Sequence, residues 1–310
     1  MKQSIFARKS CLLLAGGFIL LSLLGCLQQQ ELPKTIQLTK DEDLSDMMTF
    51  YDTIKILQGE KILWEKQELE SAVDFIKPEG GKEYMEIRIQ GHETSTIKTC
   101  DIDGEGHPEL VVQTFSGGAH CCFEYHILRL GQTVEEVIHI YGGNTMLRFD
   151  DLNTDGILEL LTGDDTFAYW HNSYADSPRS PIILEYTEGH YILANQKYSE
   201  ILMDEAQEEE KRLLGFKEGK SSEEESFLWD FEGQIPAVLL SVMLDNIYTG
   251  RWRKAVSLFA EYPIEKTDRR LFGEDFIETL QGSRYWPNLL VMDPSLAGLS
   301  EAIQKAITEN

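Results

Sequence analysis

Two acidic stretches, residues 101–109 and 151–159, share the pattern D-x-[DN]-x-[DE]-G-x-x-E. Oxygen side chains at positions 1, 3, 5 and 9 of the pattern can turn towards one centre. The glycine at position 6 permits the positive-φ turn that folds such a loop back on itself. This arrangement suits a hard cation such as calcium, which takes roughly six to eight oxygen ligands. The candidate metal ligands are Asp101, Asp103, Glu105, Glu109, Asp151, Asn153, Asp155 and Glu159.

Each stretch runs directly into apolar residues, Leu-Val-Val at 110–112 and Leu-Leu at 160–161, which indicates a strand after the loop. An EF-hand loop is longer and lies between helices, so these loops are of another kind. Residues 95–165 resemble the FG-GAP or VCBS repeats of integrin-type β-propellers. The resemblance implies calcium on the acids of both loops. Two turns without a metal are the alternative, because Asp, Asn and Gly favour turns by themselves.

Three cysteines lie near the first acidic stretch: Cys100, Cys121 and Cys122. Thiols of an exported protein tend to be oxidised. If the other cysteine of the mature chain, Cys26, carries a lipid, these three allow one disulfide and one free thiol. We expect a bridge from Cys100 to Cys121 or Cys122, which would clamp the entry of the first loop to the next strand. A ring between Cys121 and Cys122 is the competing pairing.

The segment Ser-Gly-Gly-Ala-His-Cys-Cys at 116–122 admits two kinds of chemistry and one purely structural interpretation. His120 and the thiols are suitable ligands for zinc or copper. A thiolate beside His120 is a possible nucleophile. We favour a third interpretation, a glycine-rich turn closed by a structural disulfide.

An aromatic run with polar residues inside it, Phe-Ala-Tyr-Trp-His-Asn-Ser-Tyr, occupies residues 167–174. Such a run can form a surface for a carbohydrate or protein ligand. A half-buried strand and turn is the more common structure, and we prefer it here. The adjacent Asp164 and Asp165 either add acids to a cation site or cap a turn.

The N-terminus has the parts of a secretory signal. Lys2, Arg8 and Lys9 are positive, an apolar run follows, and it ends with Leu-Leu-Gly-Cys at 23–26. The run is shorter than the roughly 20 apolar residues that span a membrane. Its end resembles the lipobox of bacterial lipoproteins, which implies removal of residues 1–25 and acylation (palmitate among the acyl chains) of Cys26. An ordinary signal peptide that contains a cysteine is the alternative.

A lipid on Cys26 would hold the protein in the cell envelope, with its domains facing the periplasm or the exterior. Leu27, rather than Asp, follows the lipid cysteine, so we expect the outer membrane if the organism has one. Removal of residues 1–25 takes away three positive and no negative charges and brings the formal charge from -25 to -28. So acidic a chain repels nucleic acid, and we expect no nucleic-acid partner.

Composition and periodicity divide the mature chain into four parts. We predict a polar tether at 26–50, a β-rich domain at 51–195, an acidic linker at 196–232 and a helical domain at 233–310. The predicted fold class is α+β: an all-β unit, either a sandwich or a partial propeller, followed by a small helical domain.

These patterns together predict a lipid-anchored envelope protein with a calcium-stabilised β domain that acts as a binding or scaffold module. The absence from the sequence of a recognisable catalytic set favours this over an enzyme. The alternatives are an exported enzyme, or a transition-metal or redox protein, that uses the region of His120, Cys121 and Cys122.

The lipobox generates the first testable prediction. Cys26→Ser should leave an uncleaved or soluble precursor, because serine cannot form the thioether that carries the lipid. Membrane fractionation and mass measurement of the mutant check this. A mutant that is still acylated and membrane-bound would refute the lipoprotein hypothesis.

Overall fold

The computed structural model of the protein describes residues 34–40, 48–119, 121–217, 227–231 and 235–309. Several predicted features lie outside the described residues: the signal peptide at 1–25, the lipidation residue Cys26, most of the tether, His120, and residues 218–226 and 232–234 of the acidic segment.

The N-terminal part is a nine-stranded sheet. Its strands are β1 (Lys34–Lys40), β2 (Tyr51–Gln58), β3 (Lys61–Lys66), β4 (Ala72–Ile76), β5 (Lys82–Gln90), β6 (Thr96–Asp101), β7 (Glu109–Phe115), β8 (Phe123–Leu130) and β9 (Val134–Gly143). The order is β3-β2-β1-β5-β6-β7-β8-β9, with β4 paired to β7. The two ends approach each other, since Lys66 Nζ on β3 lies 2.9 Å from His126 Nε2 on β8. The sheet is therefore nearly closed into a barrel.

Strand β1 lies inside the segment for which we predicted a polar tether. Successive side chains of a strand point to opposite faces, so residues two apart share a face. Ile36 and Leu38 on β1 are buried on one such face, and Ile54 and Ile56 on β2 are buried in the same core. β1 pairs antiparallel with β2 and parallel with β5. The tether prediction is therefore wrong for Lys34–Lys40, where polar neighbours concealed the alternation.

A second, four-stranded antiparallel sheet follows, in the order β10-β11-β12-β13. Its strands are β10 (Arg148–Asp150), β11 (Glu159–Asp164), β12 (Ser180–Thr187) and β13 (His190–Leu193). The β region is thus a nearly closed sheet plus a small open sheet, and it differs from the sandwich or partial propeller that we expected. Most strands could be predicted from their local sequence patterns. The order in which they pair could not, because it depends on contacts between residues far apart in the sequence.

Six α-helices complete the described part of the chain: α1 (Ser199–Lys217), α2 (Ala237–Tyr248), α3 (Trp252–Glu261), α4 (Lys266–Gln281), α5 (Trp286–Met292) and α6 (Leu299–Glu309). The class is therefore mixed α+β with a helical C-terminal region, as the sequence predicted. α1 occupies the expected acidic linker, and its charge runs form ion pairs such as Arg212–Glu209 one turn apart. Within the described ranges, no helix has both the length and the apolar character needed to cross a membrane.

Two hydrophobic cores share the wall formed by β7 and β8. Val112 and Leu128 belong to the core enclosed by the barrel, whereas Val111 and Ile127 face the core that includes the helices. Both faces of these strands are buried, which explains their nearly continuous apolar sequence. The second core is continuous from the sheets to the helices and includes Phe276 of α4.

The helices are also joined to the β region by an ion-paired histidine. His171 lies between Asp230 and Asp275, with Nδ1 and Nε2 each 2.6 Å from a carboxylate oxygen. Burial alone would lower the pKa of His171, but the hydrogen bonds to Asp275 and Asp230 outweigh it and raise the pKa. The adjacent Trp170 donates its indole N–H to Thr279 on α4 at 3.1 Å.

This arrangement predicts how stability depends on pH. A histidine with a raised pKa stabilises the folded state fully below its unfolded pKa of about 6.5, and the contribution is lost as pH rises through the folded pKa. Urea unfolding of the wild type and His171→Asn should therefore differ most at mildly acidic pH and converge at alkaline pH. His190→Asn is the control, because His190 is exposed and its Nδ1 lies 3.2 Å from the carbonyl oxygen of Glu188 rather than beside a carboxylate. A constant difference for His171→Asn would contradict the prediction.

Candidate cation site

The first acidic loop, residues 101–109, joins β6 to β7 and is shaped by its own carboxylates. Asp101 Oδ1 accepts a hydrogen bond from the Gly104 N–H at 2.8 Å, and Asp101 Oδ2 accepts one from Gly106 at 3.2 Å. Glu109 Oε2 accepts from the Ile102 N–H at 2.9 Å. Gly106, the glycine of the pattern, has φ +80°, the left-handed conformation that we inferred from its position.

Three of the four predicted ligands of this loop converge. Asp101, Asp103 and Glu109 each offer a carboxylate oxygen, and these oxygens all lie within 4.8 Å of one another. Asp103 and Glu109 are each only 1% exposed. Glu105 is exposed and lies outside the convergent group.

Arg129 on β8 neutralises part of this charge. Its guanidinium pairs with Asp103, lies 3.5 Å from Glu109 Oε1 through Nε, and donates to the Tyr186 hydroxyl on β12 at 2.7 Å. Burial raises the pKa of Glu109 to about 8, and neighbouring Asp103 adds to the rise. Glu109 Oε1 is buried and makes no hydrogen bond of its own. Arg129 therefore contacts two of the three converging acids, Asp103 and Glu109.

The second loop, residues 151–159, repeats the backbone hydrogen bonds of the first. Glu159 Oε2 accepts from the Leu152 N–H at 2.8 Å, and Asp151 Oδ2 accepts from Gly156 at 2.9 Å. The carboxylates of Asp151, Asp155 and Glu159 do not converge in the way that those of the first loop do.

Neutral donors close the second loop instead. Asn153 Nδ2 donates to Asp155 Oδ2 at 2.9 Å, and the Tyr198 hydroxyl donates to Glu159 Oε1 at 2.8 Å. The structure thus brings together the carboxylates of the first predicted metal site and leaves the second as a hydrogen-bonded turn.

The two loops pack against each other where the two sheets meet. The Leu158 N–H donates to the Ile102 carbonyl at 2.9 Å. Gly104 has φ +74°, and a Cβ added there would lie 2.8 Å from Ile157 Cγ1, so the close approach requires a glycine. The sequence repeat therefore corresponds to a contact between the two copies.

The cysteines pair differently from our main expectation. Cys121 and Cys122 form a disulfide, the competing pairing, whereas Cys100 is a buried free thiol. Burial, together with the charges of Glu109 and Asp101, raises the pKa of Cys100 to about 12. Cys100 lies on β6 and is buried in the core that includes the helices.

The aromatic run at 167–174 is largely structural. Phe167 is buried, and Trp170 packs edge-on against Phe272 of α4 with ring centroids 5.5 Å apart. Tyr169 is 53% exposed and lies beside Tyr174.

Asp164 ends strand β11, Asp165 follows it, and both lie outside the cation cluster. Asp164 accepts from the Thr166 N–H at 2.9 Å and from the hydroxyls of Tyr248 and Ser283, and Asp165 accepts from the Asn144 N–H at 3.0 Å. Asp164 therefore also ties β11 to the helices.

Sequence reasoning missed Arg129, which belongs to no motif and lies 26 residues from Asp103. The available signal was a single arginine inside the apolar run of β8. Such a residue is rarely buried unless it is paired.

Comparisons with known proteins show one partial similarity. An 87-residue part of the chain is 32% identical to a protein of Synechocystis sp. described as a probable thylakoid lumen protein. The match covers 26% of this chain and 25% of that protein. No protein-family model and no solved structure matches the chain.

The buried ion cluster predicts a strong dependence on Arg129. Arg129→Met should destabilise the protein by about 3–5 kcal/mol without added cations, because Asp103 and Glu109 would stay buried without their partner. Arg270→Met, which breaks an exposed pair with Glu274, should cost only about 0.3–0.5 kcal/mol. Chemical denaturation in the presence of a chelator measures both. Equal small effects would show that the cluster contributes little.

Proposed function

We propose that this protein is an exported, lipid-anchored module of the cell envelope that binds a protein or carbohydrate ligand, with a calcium ion in its first acidic loop. The observation that carries the cation assignment is the convergence of Asp101, Asp103 and Glu109 within 4.8 Å. The anchor and the location rest on the lipobox and the signal sequence.

The donor chemistry of the first loop fits calcium. All three converging side chains are carboxylates, and hard divalent cations prefer oxygen ligands. Glu109 Oε1 is buried and makes no hydrogen bond, and Arg129 Nε lies 3.5 Å from it, so this oxygen can act as a ligand if the arginine moves aside. Asp101, Asp103 and Glu109 would hold the ion, which would supply positive charge to a cluster that Arg129 only partly neutralises.

The second loop fits calcium less well, and we propose no ion there. Its acceptors are already engaged by the amide of Asn153, the hydroxyl of Tyr198 and backbone N–H groups. The proposed role of the second loop is structural: it supports the first loop through the bond from Leu158 to Ile102.

The cysteines favour a binding module over a thiol enzyme. Cys121 and Cys122 are joined in a disulfide, so neither is a thiolate nucleophile in this state. Cys100 is buried and its raised pKa keeps it protonated near neutral pH. The described cysteines therefore offer no activated thiol.

Calcium should raise the melting temperature of the full chain. A ligand that binds only the folded state stabilises it by about 2.7 kcal/mol at a hundred times its dissociation constant. Asp101→Asn should abolish most of this shift, because it removes a carboxylate from the converging group. Magnesium should substitute poorly, since it requires a smaller octahedral shell.

Asp151→Asn is the matched control, since Asp151 occupies the same position in the second loop and should leave the calcium shift intact. Thermal melting and calorimetric titration of metal-stripped protein measure the effect. No calcium uptake at millimolar concentration, or an equal loss of the shift in both variants, would overturn the calcium assignment.

A further inference from the structure

A second cluster of metal-ligating side chains lies on β8 and β9, apart from the acidic loops. His126 on β8 is directly opposite His139 on β9 in the register of the two strands. Glu124 precedes His126 by two residues and therefore projects from the same face of β8. Nothing in the sequence pattern marks this group, because its members come from two strands and have no motif spacing.

The three side chains converge closely. One ligand atom from each of Glu124, His126 and His139 lies within 4.8 Å of the others. His139 Nε2 is 2.8 Å from Glu124 Oε2, and the two imidazole rings are parallel, with centroids 4.5 Å apart.

A positive charge already lies beside two of the three side chains. Lys66 Nζ, at the end of β3, lies 2.9 Å from His126 Nε2 and 3.6 Å from Glu124 Oε2. An ammonium group can only donate, so His126 Nε2 directs its lone pair towards this ammonium group. The position is thus suited to a cation, with one nitrogen and one carboxylate oxygen directed at it.

The other nitrogen of His126 has the surroundings of a metal-bound histidine. His126 is 3% exposed, and its Nδ1 makes no hydrogen bond of good geometry but faces Glu136 Oε2 at 3.3 Å. Metal-ligating histidines usually direct their second ring nitrogen at a carboxylate or carbonyl, which fixes the tautomer and orients the ring.

We propose that Glu124, His126 and His139 form a site for a divalent transition-metal ion of the zinc class, for which the ammonium group of Lys66 is an internal competitor. Two imidazole nitrogens and one carboxylate oxygen suit zinc, whereas calcium and magnesium prefer oxygen ligands alone. Three protein ligands leave a further coordination position for water or an external ligand.

The site lies at the seam where the nine-stranded sheet nearly closes. Glu124, His126 and His139 belong to the last two strands of the sheet, and Lys66 belongs to the strand at the opposite end. Lys66 is partly exposed, with 31% of its side chain accessible, so it can move aside when a metal enters.

Calorimetric titration of the metal-stripped full chain with zinc chloride tests the proposal. The wild type should bind zinc, and His139→Gln should weaken this binding at least tenfold. His139 is 42% exposed, so the substitution should leave the fold intact, and Glu124→Gln provides a second ligand variant. Lys66→Met should strengthen binding severalfold, because the competing ammonium group is gone while the stem of the side chain remains.

His190→Gln is the matched control, since His190 is exposed on β13 and lies outside the cluster. Its zinc affinity should equal that of the wild type, and circular dichroism should show that every variant is folded. No zinc uptake by the wild type, unchanged affinity in His139→Gln and Glu124→Gln, or unchanged or weaker affinity in Lys66→Met would each overturn the proposal. An excess of calcium should leave zinc binding unchanged, and displacement of zinc by calcium would also overturn it.

Discussion

Arg129 places its guanidinium against Asp103 and the region of Glu109, and it reaches the hydroxyl of Tyr186 in the second sheet. This buried ion cluster is the constraint on which the β region depends, because charged groups tolerate burial only when they are paired. Beside it, the Leu158 N–H bonds to the Ile102 carbonyl and joins the two acidic loops. The two sheets thus meet through these polar contacts as well as through the hydrophobic core that contains Val111 and Leu160.

The loops show how the same local sequence acquires two roles. Each closing glutamate, Glu109 or Glu159, accepts a backbone N–H at the start of its loop, so both copies fold in the same way. Their neighbours then differ, since Glu109 faces Arg129 whereas Glu159 accepts from Tyr198. Arg129 brings positive charge to Glu109 but supplies no oxygen ligand for a cation. The Tyr198 hydroxyl donates one hydrogen bond to Glu159 and brings no charge. The cation assignment therefore follows the surroundings of each loop.

The two candidate metal sites share a physical feature. In each, a basic side chain from a different strand lies at the converging ligands: Arg129 at the first loop and Lys66 at the histidine pair. Positive charge at these positions relieves repulsion in a chain with a formal charge of -25. The two sets of candidate ligands differ in hardness, because the first contains carboxylates alone and the second adds two imidazoles, so we expect them to prefer different classes of ion.

The sequence by itself determined the features that depend on neighbouring residues. The pattern of Asp101 and Gly106 was enough to predict the turn of the first loop. Hydrophobic periodicity was enough to predict most strands and the C-terminal helices. Both depend on hydrogen bonds and side-chain directions that are set by neighbouring residues. Tertiary structure alone decided that β1 joins the sheet, that Cys121 pairs with Cys122, and that His126 meets His139. These outcomes depend on strand order and register, which bring together residues whose separation in the chain carries no local signal.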